Sequence, residues 1–173
     1  MHVERAAGAE PTTGDPPGGD RDRESVDDVY RRMRPGMVRL AHLLTGSLDT
    51  AEDVVHDAFV ACSRHWESVD VPDAYVRRAV TNQAHSALRR LGRDRDKADR
   101  FGRRAPVTLD IPELDETWQV LRRLPDRQRM ALVLRFYDDR SDAEIADALG
   151  CRPSTVRSLI HRGLARVKKE MGR

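Results

Sequence analysis

The sequence predicts an all-α protein: two small helical domains joined by a flexible linker, the C-terminal one a helix-turn-helix. Three observations carry that prediction. Charged residues make up 35% of the 173 residues and aromatics 5%, a solvated composition that excludes a β-sandwich or barrel. Apolar residues recur at three- and four-residue spacing through both halves of the chain, the period of amphipathic helices. Between the halves, residues 92–112 carry two glycines and two prolines and show no sustained period. A hydrophobic content of 39% fills modest cores, so a large single-core enzyme is excluded.

Each element follows in order. Residues 1–24 mix Pro, Gly, Asp and Arg with little that is apolar, which predicts a disordered leader. The first domain is placed at 25–92. From Val26 an apolar stripe through Val29, Met33, Met37, Leu40 and Leu44 predicts a helix, interrupted or kinked near Pro35 and Gly36 and ended by Gly46. A second helix at about 48–65 follows an N-cap at Ser47 or Asp49, with acids in its first turn where the helix dipole favours them. The loop Glu67 to Pro72 leads into a third helix. Its apolar stripe runs from Tyr75 to Leu91 and its other face carries Arg77, Arg78, Asn82, His85, Ser86, Arg89 and Arg90.

The linker is placed at 93–112 and the second domain at 113–173. There Leu114, Trp118, Leu121 and Leu124 predict one helix. Pro125 opens the next, with Met130, Leu132, Val133, Leu134, Phe136 and Tyr137 as its buried positions. Ser141-Asp-Ala-Glu144 is a capping box that opens a short helix, and Gly150 can end it. Pro153 then suits the first position of a last helix that buries Val156, Leu159 or Ile160, Leu164 and Val167. A short capped helix, a Gly-containing turn and a second helix with a basic outer face together make a helix-turn-helix.

Charge and motif separate the function classes. A net charge of +2 conceals segregation: residues 1–30 hold eight acids against three arginines, residues 88–104 eight cations against three acids, and residues 150–173 seven against one. Two separated basic patches point to a polyanion contacted at two places. On the last helix Arg152, Ser154, Thr155, Arg157, Ser158, His161, Arg162 and Arg166 lie off the apolar stripe, mixing hydroxyls that read base edges or phosphates with guanidiniums that bind both. The second helix carries Asp49, Glu52, Asp53 and Asp57, a face that would repel phosphate and instead suits a protein partner.

Other chemistries have less support. Cys62 and His65, with His56 upstream, lack the further ligands of a zinc set, and no cofactor is implied. Asp138, Asp139 and Asp142 sit in an interhelical turn where acids cap helices. No Gly-rich phosphate loop, nucleophile elbow or paired acid and base is present, so the protein is not expected to be an enzyme. No apolar run approaches the roughly 20 residues that cross a bilayer, and the N-terminus lacks a signal-peptide core, which predicts a cytoplasmic protein without membrane insertion.

The order of acidic helix, basic Asn-containing helix, linker and the segment LPDRQRMALVLRFYDDRSDAEIADALGCRPSTVRSLIHRGLARVK resembles a bacterial extracytoplasmic-function sigma factor, and within that family the actinobacterial SigE-like branch. The match in the second half runs through Leu124, Pro125, Gln128, Arg129, Ser141, Glu144, Ile145, Ala146, Leu149, Gly150, Thr155, Val156, Ser158 and Arg162, and in the first through AEDVVHDAFV and YVRRAVTNQAHSALRR. Ser86 and Pro153 depart from the common pattern.

The resemblance implies that the first domain is sigma region 2 and the second sigma region 4. It assigns Asp49, Glu52, Asp53, His56, Asp57 and Phe59 to core RNA polymerase. Trp66, Asp70, Arg78, Asn82, His85, Ser86, Arg89 and Arg90 go to the melted −10 element, and the last helix goes to the duplex −35 element. It also implies an anti-sigma factor as a partner. A helix-turn-helix regulator acting without polymerase, or a helical anti-sigma or adaptor protein, are the rival readings; the first leaves the helices before the linker without a task.

Overall fold

The computed structural model describes residues 24–98 and 115–172, and among them every regular element is helical. The expected leader, apart from its last residue, and most of the expected linker lie outside the described residues.

The first domain is a three-helix unit of α1 (Val26–Thr45), α2 (Leu48–Arg64) and α3 (Pro72–Ala98), which pack on one another pairwise. Ser25 caps α1, its Oγ accepting from the Asp28 N–H, and Gly46 ends the helix at φ +82°, a left-handed conformation that glycine adopts without the Cβ penalty. Of the expected interruption or kink at Pro35, the interruption is absent: α1 runs through it. Proline forfeits one bond, to the Arg31 carbonyl, and both Pro35 and Gly36 are exposed, so water can satisfy that carbonyl. Ser47, not Asp49, caps α2 by accepting from the Thr50 N–H. A 3₁₀ turn (Trp66–Ser68) then leads to Pro72, and α3 continues to Ala98, six residues beyond the expected end of the domain at 92.

The second domain contains α4 (Asp115–Leu121), α5 (Asp126–Phe136), α6 (Asp142–Ala148) and α7 (Pro153–Met171). The capping box at α6 is complete: Ser141 Oγ accepts from the Glu144 N–H, and the Glu144 carboxylate accepts from the Ser141 N–H at 2.9 Å. Pro153 occupies the first turn of α7. Gly163 brings α7 onto α5, since a Cβ there would lie 2.9 Å from Leu132 Cδ1.

Four apolar residues expected inside lie outside, among them Leu91, which is 38% exposed on α3. Phe136 is 64% and Tyr137 47% exposed, because α5 ends at Phe136 and its inward face ends with it. Leu164 is 45% exposed, because Gly163 takes the inward position and the next residue is turned about 100° round the helix.

The halves are not separate bodies. Trp118 of α4 and Met130 and Leu134 of α5 join one continuous apolar cluster with Leu40 and Leu44 of α1. α5 also packs on α1, and α6 on α3.

Candidate nucleic-acid interface

The second basic patch is built on α7. The capped α6 and the turn through Gly150, at φ +58°, set the entry of α7, while Val156, Leu159 and Gly163 bury its inner side. Arg152, Ser154, Arg157, Ser158, His161, Arg162 and Arg166 remain exposed. Arg157, Ser158, His161 and Arg162 line one shallow depression, and Arg166 lies a turn further along the helix. Thr155 is half-buried, so it faces outward less than expected. Two of these groups are oriented from within: Arg162 Nε donates to the Ser158 carbonyl at 3.1 Å, and Arg157 stands 3.9 Å from Asp142.

The first patch lies on α3, where Arg78, Asn82, Ser86, Arg89 and Arg90 are exposed and His85 is half-buried. Trp66 is half-buried and packs on the core, while Asp70 is exposed in the loop before α3. This face meets the second domain. Arg77 donates to Asp138 at 2.6 Å, and Arg78 donates to Asp147 at 3.0 Å. Arg78, Thr81 and Asn82 share a cleft with Arg140, Glu144 and Asp147. His85 and Arg89 share another with Asp126, Arg127 and Gly150.

The charges respond to these surroundings. Burial, aided by the positive charges of Arg127 and Arg89, holds the His85 imidazole below the ordinary histidine range, against a hydrogen bond to the Ala148 backbone. Burial and the charge of Arg129 do the same for His42, whose two ring nitrogens have no hydrogen-bond partner. Hydrogen bonds from Ser141, backbone first, hold the Glu144 carboxyl down at about 2.

The acid face of α2 exposes Asp49, Glu52, Asp53, His56 and Asp57, with Glu52 paired to Arg34 at 3.1 Å. Phe59 does not belong to that surface. It is 5% exposed and packs edge-on against Tyr30 with ring centroids 4.9 Å apart, so it is core rather than contact. Among the described residues no group of three His, Cys, Asp or Glu side chains could hold a metal, and no helix is long and apolar enough to cross a membrane.

Sequence reasoning did not single out Asp138 and Asp147 as partners of α3, nor Arg129 as a link between domains. Arg129, 4% exposed, donates from Nε and Nη2 to the Leu44 carbonyl at 3.2 and 3.1 Å and from Nη2 to Asp126 at 2.8 Å. The available signal was an arginine embedded in the apolar run of α5, where a charge needs fixed partners.

Two helical domains with a basic helix apiece, the second a helix-turn-helix, match known protein families in the same order. Residues 29–94 match Sigma-70 region 2 and residues 114–167 match Sigma-70, region 4. Among curated proteins the chain is 31% identical over 163 residues to the ECF RNA polymerase sigma factor SigM of Mycobacterium tuberculosis, covering 87% of this chain and 79% of that protein. It is 27% identical over 150 residues to the RNA polymerase sigma-E factor of Streptomyces coelicolor, covering 84% and 85%. Its fold is similar to that of the sigma factor RpoE solved in complex with the anti-sigma factor NepR from Bartonella quintana, with TM-score 0.63, 22% identity, and coverage of 84% of this chain and 98% of that one. The chain belongs to the family of extracytoplasmic-function (ECF) RNA polymerase sigma factors.

Proposed function

We propose that this sigma factor, which binds core RNA polymerase and directs promoter recognition, divides the task by residue as follows. The acid face of α2, through Asp49, Glu52, Asp53, His56 and Asp57, docks on a basic surface of core polymerase. The loop at Trp66 and Asp70 and the α3 residues Arg78, Asn82, His85, Ser86, Arg89 and Arg90 hold the melted −10 strand, with stacking and cationic contacts supplying affinity. α7 enters the major groove of the −35 element, where Arg152, Ser154, Thr155, Arg157 and Ser158 reach base edges and neighbouring phosphates and His161, Arg162 and Arg166 hold the backbone. The protein works in the cytoplasm as a polymerase subunit without an active site of its own, and a helical anti-sigma factor restrains it. Region 2 occupies 25–92 with its last helix prolonged, and region 4 occupies 113–173.

The observation that carries this reading is the outward array at the N-terminal end of α7, presented by a capped α6 and a buried inner stripe. Only the first turns of such a helix reach bases. Arg157→Ala therefore costs about 1–3 kcal/mol at one base pair of the −35 element, whereas Arg166→Ala weakens all promoters alike and lowers the salt slope by about one contact. Transcription from a promoter library with purified core polymerase checks both; unchanged −35 preference and strength in both variants removes α7 as the reading helix.

A further inference from the structure

The basic face of α3 meets acids, and the acids come from the other domain. Asp138 is 1% exposed at its side chain and lies between Arg77 and Arg140, accepting from both, at 2.6 and 2.8 Å. Asp147, on the exposed face of α6, accepts from Arg78. Carboxylates on arginines offer the same bonds that phosphate oxygens would. Asn82 lines the cleft that α6 closes, and His85 and Arg89 line the one that the turn at Gly150 closes.

The halves are also fastened away from that face. A helix leaves its last carbonyls without intrahelical donors, and the Leu44 carbonyl at the end of α1 receives two N–H groups from Arg129 of α5. Beside it His42 of α1 packs against Trp118 of α4, ring centroids 4.9 Å apart and ring planes tilted by 46°. Arg129 loses both bonds to the Leu44 carbonyl once the domains part and keeps only the one to Asp126 in its own helix, so parting leaves a helix-end carbonyl without its donors.

We propose that region 4 masks the −10-binding face of region 2 in the free protein: Asp138 and Asp147 occupy α3 as stand-ins for DNA phosphates, and the Arg129 to Leu44 bond latches the closed form. This rests on the reading of α3 as the −10 helix. Closure pairs Arg78 and covers the clefts that Asn82, His85 and Arg89 line, so closure and strand binding compete for these residues, and free protein binds single-stranded DNA with an affinity reduced by the fraction that is open. The interface mixes ion pairs with the apolar cluster that joins α1 to α4 and α5, and domain interfaces within one chain commonly allow relative motion.

The test uses the full chain without polymerase and a fluorescent 12-nucleotide single strand carrying a −10 sequence, read by anisotropy, with the radius of gyration from X-ray scattering alongside. Arg129→Ala is expected to bind the strand about 10-fold more tightly and to expand. The direction is diagnostic, because losing a cation otherwise weakens DNA binding. Asp147→Asn, at an exposed pair that cannot unfold the domain, is expected to raise affinity about twofold over Asp57→Asn, which changes the charge equally on the opposite task.

Circular dichroism verifies that helicity is kept; where Arg129→Ala loses it, Asp147→Asn decides. A separate arm measures open-complex formation by polymerase carrying Arg89→Ala/Arg90→Ala. A defect there, together with wild-type affinity and dimensions in both latch variants, overturns the mask while leaving the α3 reading intact. No defect overturns the α3 reading and the mask with it.

Discussion

The faces of α3 and α7 are written in the same residues, arginine with hydroxyl and amide neighbours, yet they rest differently. α7 has its acids behind it: Asp142 pairs with Arg135 and stands at the rim near Arg157, and the reading face points to solvent. α3 has acids in front of it, contributed by the turn after α5 and by α6. Composition therefore tells that a helix can bind a polyanion, and tertiary contact decides whether it is free to do so. On the proposed readings, a basic face whose opposing acids sit on its own domain is ready, and one whose opposing acids sit on another domain waits on a rearrangement.

The contrast can be broken most severely at Ile145. Fully buried in α6, it ties the capped helix to α5 and α7, and Ile145→Ala should cost about 2–5 kcal/mol in thermal denaturation. The change removes both the α7 face and the cover on α3, so −35 discrimination falls while single-strand binding rises. Equal loss of both activities would mean the two faces do not differ in accessibility. Ser141→Ala is milder: losing the cap should cost about 1 kcal/mol, measured by denaturant titration, and loosen α6 over α3 more than it disturbs the inner stripe of α7.

The smallest effect is that of pH. His42 and His85 lie at the two contacts between domains, and burial first, then neighbouring arginines, lowers both. Their closed-state values lie below the unperturbed one, so the open form binds more protons and closure is favoured above that value and lost as pH falls below it. Between about pH 7.5 and pH 5.5 the radius of gyration should rise, and the double variant His42→Phe/His85→Phe should flatten that rise. A response retained in the double variant assigns the opening to other groups.

Much of this molecule was legible in one dimension. Ser47, one of the two caps expected for α2, and the Ser141 box cap helices through bonds spanning three residues, so local sequence suffices to nominate them. The helix-turn-helix is similarly local. For Phe59 the spacing from Val55 and Cys62 marks the inward stripe, and its assignment to the polymerase contact came only from what the family resemblance implies. Phe136 and Tyr137 were misplaced because a period continues on paper after the helix that gives it meaning has stopped. The bonds of Arg129 to Leu44 and of Arg77 to Asp138 span 85 and 61 residues, and no local rule pairs them.

Gly163 has a consequence beyond packing. With no Cβ it lets α7 settle against Leu132 at a distance where a Cβ would force the Leu132 side chain or the helix to shift. The glycine works as a depth stop: it helps set how high the arginines of α7 stand above the body of the domain, and, on the proposed −35 reading, how far they would reach into a groove whose floor is some 8.5 Å below its rim. Where α7 rather than Leu132 yields to a side chain inserted here, the whole outer face rises as on a shim, and each base contact of the proposed reading would be remeasured at once.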